Sequence, residues 1–474
     1  MALIPSYTLL EQLVVLVTAA LGYVGLASPL FGTRHARYSA IAATLLSLIV
    51  SIILYKEAIE KGPITLFDNN MILDGFAAAL VLAASLTLLI DLVAAIAVVE
   101  KWDTGSAFYA ITALNLLGVY AIALAGSLVL VYTAWILAAV SSYVIIALWK
   151  NETSAEAAAK YAAIGVLATS LLIYALCFNI EISGSVYLSG AARHVPLIVA
   201  GAATLLPLAA IGFKMGVVPF HMWLPDVYGN ARPFLVSVIA SQAKILAVAF
   251  LLRLLYTITR VDPNLLLVLA GILAVATMTL GNVAALAAND ARLVMAYSAI
   301  GQAGYIIAGF AALRPGLEGI LVPGIFLQVF GYSLAKTSAF LVLDAVYEKA
   351  GWEVRSIEVL RGLYKGNKMA ALSMLLALLV LVGMPPSLGF WGKLYILYGV
   401  ASVDLALAII FVLNMAIAAY YYMMLGWRLF ATGDAPKLET DTRIVAASIG
   451  SILAFALGIV YWLFASVYVS ATPP

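Results

Sequence analysis

Apolar residues recur along this chain in runs of about 20, and polar residues gather in the short stretches between them. A helical run of that length crosses the hydrocarbon core of a bilayer. The pattern predicts about 14 spans, near residues 8–31, 37–55, 74–99, 106–122, 124–149, 157–178, 196–217, 233–258, 263–287, 291–313, 317–345, 369–400, 402–430 and 441–467. The short alternating segments of a membrane β-barrel are absent. The expected fold is an all-α polytopic membrane protein.

Two spans are interrupted. The seventh carries Lys214, meets Pro219, crosses His221, Pro225 and Asp226, and stops; a new apolar run bearing Lys244 starts after Pro233. The twelfth breaks at Gly383-Met384-Pro385-Pro386 and resumes as SLGFWGKLYIL, with Lys393. Proline removes a backbone donor, and a membrane tolerates the break only where protein or a wet cavity covers it. Spans 4–8 (residues 106–258) and 9–13 (residues 259–430) form two blocks of five, each broken in its fourth span. An odd number of spans per block gives the two opposite orientations. The expectation is two inverted five-helix repeats with broken helices at spans 7 and 12, preceded by a three-helix segment (1–105) and followed by span 14 (431–474). Matching breaks in inverted halves point to a transport site.

Hydrophobic residues make up 65% of the chain and charged residues 10%, against about 25% charged in soluble domains. The first apolar run reaches about Leu30 without a small-residue cleavage site, so no cleaved signal peptide is expected. The lone Cys177 excludes an intrachain disulfide. With only His35, His194 and His221 beside it, no iron–sulfur or haem ligand set is expected. No glycine-rich nucleotide loop sits in a strand–helix context. The chain is expected to hold no cofactor or metal and to bind no nucleic acid; its surroundings are the lipid bilayer and other membrane subunits.

Fifteen of the 25 Lys and Arg residues fall in loops after odd-numbered spans, and six, Arg193, Arg253 and Arg260 among them, in loops after even ones. The positive-inside rule then places both termini outside a cell membrane. Four basic residues remain within spans: Lys214, Lys244, Lys336 and Lys393. A lysine at the centre of a span costs about 2.5–3.5 kcal/mol on insertion scales. All four are lysine. Arginine keeps its proton in proteins, whereas a buried lysine can lose it. The four lysines are therefore candidate proton carriers, against the competing reading of snorkelling or buried pairs; for Lys336 the pair would be with Asp344. Asp91 lies well inside span 3 and is a further candidate, because acids inside a membrane span are functional candidates by default. Glu181 and Asp74 lie near span ends and are expected to be solvated. His221, at the break, is a candidate relay or a donor to freed carbonyls.

The stretch FKMGVVPFHMWLPDVY, with Lys244 and the Gly383–Lys393 segment, resembles the antiporter-like membrane subunits of complex I-type NADH:quinone oxidoreductases, of related archaeal dehydrogenases and hydrogenases, and of multi-subunit cation/proton antiporters. It is most similar to the N-type subunit. The resemblance implies a proton path along Lys214, Lys244 and Lys393, with Lys336 at a position where the family has lysine, histidine or a polar residue. It implies redox partners on other chains. Asp290 and Arg292 match a turn that positions span 10, and Asp226 a structural turn; Trp223, Tyr297 and Tyr305 read as packing. Two residues depart from the family. A span 5 glutamate that partners the span 7 lysine falls on Ile136, between Trp135 and Ser141-Ser142-Tyr143, and Asp91 is the candidate replacement. Gln302 stands where histidine is frequent. A cation/proton antiporter subunit, or a structural subunit that has lost translocation, is the alternative.

Overall fold

The computed structural model describes residues 8–188, 195–259, 262–433 and 436–464. The chain opens with α1 (Leu9–Leu26), α2 (Thr33–Lys61), a hairpin of β1 (Ile64–Leu66) and β2 (Met71–Leu73), and α3 (Gly75–Val98). Next come α4 (Gly105–Ala123), α5 (Leu128–Ala147), α6 (Glu152–Ser183), α7 (Leu197–Met215), α8 (Trp223–Asn230) and α9 (Pro233–Thr259). The chain continues with α10 (Pro263–Ala287), α11 (Ala291–Ala311), α12 (Glu318–Ala350), the single turn α13 (Leu363–Gly366), α14 (Lys368–Val382), α15 (Leu388–Ala401), α16 (Leu405–Phe430) and α17 (Thr442–Ile459). Among the described residues, 13 helices are long and apolar enough to cross a membrane. The apolar helix α14 is too short to do so alone and continues, past a break, into α15. This is a multi-pass membrane protein.

The helix starts are set by short polar residues at the ends of apolar runs. Asp74, Ser127, Asn151, Asp290, Asn367, Ser387, Asp404 and Asp441 each accept a backbone N–H of the helix they precede. Such caps satisfy donors that a membrane helix otherwise leaves bare. Both expected breaks occur. α7 ends on Gly216 (φ 75°) and α14 on Gly383 (φ 93°), left-handed positions that glycine takes without strain.

The hairpin was not read from the sequence. Its turn places Phe67, Asp68 and Asn69 at positive φ, and β2 extends to bridge Met71 to Ala125. A second bridge joins Ser127 to Tyr187. These pairings draw Ala125–Ser127 into extended backbone, which is why α5 begins at Leu128 and not at the expected 124.

Helices α9 and α12 form the axis of the molecule. α9 from Pro233 to Leu254 and α12 from Leu321 to Tyr347 are buried throughout. α12 packs on α3, α9, α11, α14, α15 and α17, whereas α1, α2, α6 and α16 line the outside.

Candidate functional site

All four span lysines are buried, none more than 2% exposed. Lys214, at the end of α7, donates to Ser142 Oγ of α5 (3.2 Å) and Tyr161 OH of α6 (3.1 Å). Its ammonium also faces the Tyr143 and Tyr161 rings. Ser142 in turn accepts from Asn115 of α4 and donates to the Ala138 carbonyl. Trp223 stacks on Tyr161 with ring centroids 4.2 Å apart and donates to the Phe213 carbonyl. It thus walls the lysine and satisfies one carbonyl freed by the break.

Lys244, on α9, donates to the Met215 carbonyl that ends α7 (2.8 Å) and to the Ala299 carbonyl of α11 (2.9 Å). Lys336, on α12, donates to the Met295 carbonyl (2.6 Å) and Ser298 Oγ (2.5 Å), both of α11. The Tyr332 ring lies 5.1 Å from the Lys244 ammonium and 5.8 Å from that of Lys336. Lys393, on α15, donates to the Leu381 and Val382 carbonyls that end α14 (2.5 and 2.9 Å) and faces the Tyr305 ring. Each break therefore exposes carbonyls at a helix C-terminus, and one lysine caps each. A cation there meets the negative end of the helix dipole.

Gln302 connects the last two lysines. It donates to the same Leu381 carbonyl (2.9 Å) and to Tyr422 OH (3.2 Å), and it accepts from Gln328 (2.7 Å). Tyr422 lies beside Ser298, the partner of Lys336. One face of α11, through Met295, Ser298, Ala299, Gln302 and Tyr305, thus touches three of the lysines. The sequence reading missed this rail and placed Tyr305 among packing residues. The signal was present as a stripe of small and polar residues at helical spacing.

Buried arginines behave differently. Arg232, Arg253, Arg292 and Arg443 each hold a carboxylate: Asp344 at 2.9 Å, Asp74 at 2.7 Å, Asp290 at 3.0 Å and Asp344 at 2.8 Å. No described carboxylate forms an ion pair with any of the four span lysines. The competing reading of Lys336 as the partner of Asp344 fails, because Asp344 is occupied by two arginines. Arg253, read as a loop charge, lies within α9. Asp74, read as solvated, is buried against it; Arg193 and Arg260 lie outside the described residues. Asp290 caps α11 and holds Arg292, as the turn reading expected. Asp226 is half exposed and reaches Lys160.

Asp91 does not reach Lys214. Its carboxyl meets Ser237 of α9 at 2.6 Å. Ile136 is half-buried, and the Lys214 ammonium bonds six residues further along α5, at Ser142, about 9 Å along the helix axis. His221 Nδ1 makes no hydrogen bond among the described residues. Of the carbonyls freed at the end of α7, those of Gly212, Phe213 and Met215 accept from Val217, Trp223 and Lys244, and the His221 ring bonds the Pro219 carbonyl within the break.

Fold and site define a class: a polytopic helical membrane protein with unpaired lysines strung between two broken helices. The chain belongs to the family of NADH:quinone oxidoreductase/Mrp antiporter membrane subunits, whose model matches residues 125–418. The NADH-quinone oxidoreductase subunit N of Geobacillus kaustophilus is 31% identical over 484 residues, covering 96% of this chain and 95% of that one. The F(420)H(2) dehydrogenase subunit N of Methanosarcina mazei is 28% identical over 435 residues, 86% of each chain. A chain of respiratory complex I from Thermus thermophilus superposes with a TM-score of 0.78 at 26% identity, covering 95% of this chain and 97% of that one. A chain of the Mrp complex from a Dietzia species gives 0.87 at 19% identity, with 98% of each covered, a likeness of fold.

Proposed function

We propose that this chain is a proton-translocating membrane subunit of a multi-subunit electron-transfer complex, with protons relayed along Lys214, Lys244, Lys336 and Lys393. One observation carries the reading: buried arginines are paired with carboxylates, and the buried span lysines are not. A paired arginine is a fixed charge. An unpaired lysine held by carbonyls and hydroxyls pays for its charge in desolvation and can exist in either form. The proton is favoured over Na⁺ because the row consists of ammonium groups, not of carboxylate and carbonyl cages. The redox chemistry and its cofactors belong to partner subunits, as the names of the Geobacillus and Methanosarcina relatives suggest. The same relatives favour this reading over the antiporter one.

In this reading α4–α9 and α10–α16 are inverted repeats, and both termini lie outside. Lys214→Ala and Lys393→Ala, each in the assembled complex, test it. Proton pumping per turnover is expected to fall about tenfold or more in both; unchanged pumping in both overturns the relay. The half-buried Ile136 in place of a glutamate favours a second reading, a structural subunit without translocation. The same measurement decides between them.

A further inference from the structure

The buried acid Asp91 stands outside the lysine row, and its contacts state its protonation. It sits on α3 at 0% exposure. Ser237 Oγ lies 2.6 Å from Asp91 Oδ1 and 2.7 Å from the Phe234 carbonyl. A hydroxyl has one proton to give, and a carboxylate and a carbonyl only accept. With Asp91 ionised, one of these two short oxygen–oxygen contacts would hold no hydrogen. Both are hydrogen bonds when the Asp91 carboxyl donates to Ser237 and Ser237 donates to Phe234. Asp91 Oδ2 is buried without a partner among the described residues, a further cost to an anion that a neutral acid avoids.

The charged groups around Asp91 do not compensate it. Arg232 at the head of α9, Asp344 on α12 and Arg443 on α17 pair with one another. Arg37 of α2 pairs with Glu100. Lys336 is held by α11, and α4 carries no charged residue.

From Ser237 a polar line leads to two of the lysines. Ser237, Ser241 and Lys244 are spaced four and three residues apart, on one face of α9. Ser333 of α12 lies 3.5 Å from the Ser241 carbonyl, one turn before Lys336. Lys244 and Lys336 share the Tyr332 ring.

We propose that Asp91 is a second proton-binding site of this subunit, a carboxylic acid that loads the Lys244–Lys336 pair through the α3–α9 seam. The step is a proton transfer alone. Asp91 loses its O–H and a lysine amine gains an N–H. Ser237 then turns its hydroxyl from the Phe234 carbonyl to Asp91 Oδ1, and reprotonation of Asp91 turns it back. The inference rests on the relay reading above and adds a group that the lysine row does not include.

The test is infrared difference spectroscopy of the assembled complex during turnover, with proton pumping measured alongside. A deuterium-sensitive carboxylic-acid carbonyl band is expected, absent in Asp91→Asn and displaced in Ser237→Ala. Pumping is expected to fall about tenfold in Asp91→Asn and to return in Asp91→Glu. Absence of the band, wild-type pumping in Asp91→Asn, or a loss that Asp91→Glu does not restore overturns the proposal. Where Asp91→Asn does not assemble, Ser237→Ala decides: an unmoved band with normal pumping overturns it. Lys393→Ala in the same preparation separates the two readings. Pumping lost there but kept in Asp91→Asn removes only the Asp91 site; pumping kept in both Lys393→Ala and Lys214→Ala removes the relay itself.

Discussion

At Lys214 the ammonium meets two hydroxyls and two ring faces, with no carboxylate in reach. Its hold is therefore soft. Ser142→Ala removes one acceptor and leaves Asn115 short of a partner, at a cost of about 1–3 kcal/mol, read as a lower thermal midpoint in detergent. The contrast is the pair-locked Arg232. Asp344 bonds Arg232, Arg443 and the Phe234 N–H. Asp344→Ala removes the buried carboxylate that the two guanidinium groups share, leaving Arg232 to Glu348 and Arg443 to Glu348 and Asp441, and is expected to cost about 1.5–3 kcal/mol, read as a lower thermal midpoint in detergent. Ile136→Glu is expected to assemble as wild type, because the side chain is only half-buried. The lysines were legible in the sequence as charges inside apolar runs. Their partners were not, since Ser142 and Tyr161 lie 72 and 53 residues away from Lys214 along the chain. For the same reason Asp91 was legible as an acid in a span, but its partner was not.

Among the elements, the two breaks position much of the candidate site. Each ends a helix on a left-handed glycine and offers its last carbonyls to a lysine of another helix. A methyl group at Gly383 would stand 3.1 Å from Lys393 Cδ. Gly383→Ala also forces a side chain into the left-handed region, at about 1–2 kcal/mol. It is expected to lower both the thermal midpoint and proton pumping, whereas Gly22→Ala, with open space at its Cβ, is expected to change neither. The breaks and nearly every span were visible in the sequence, because proline and the 20-residue apolar run act locally. The β1–β2 hairpin was not, because its six paired residues carry no apolar run long enough to register and its bridges reach Ala125.

For the molecule as a whole, the uneven loop charge gives an orientation that single cysteines can check. In a Cys177→Ser background, Lys61→Cys is expected to react with an impermeant maleimide on intact cells, and Lys349→Cys only after lysis; the reverse pattern inverts the topology. The burial of α9 carries a consequence for how the chain is made. No lipid touches α9 between Pro233 and Leu254 in the finished fold, yet α12, which covers much of it, is complete only at Ala350. At roughly 5–20 residues per second of synthesis, the newborn α9 waits on the order of 5–20 s with Ser237, Ser241 and Lys244 unsheltered. The helix must therefore be apolar enough to enter the bilayer alone and polar enough to serve once enclosed. One mid-helix lysine among serines and aliphatic residues, with Arg253 kept to the far end of the stretch, meets both demands, and biogenesis limits how many charges this axis can hold.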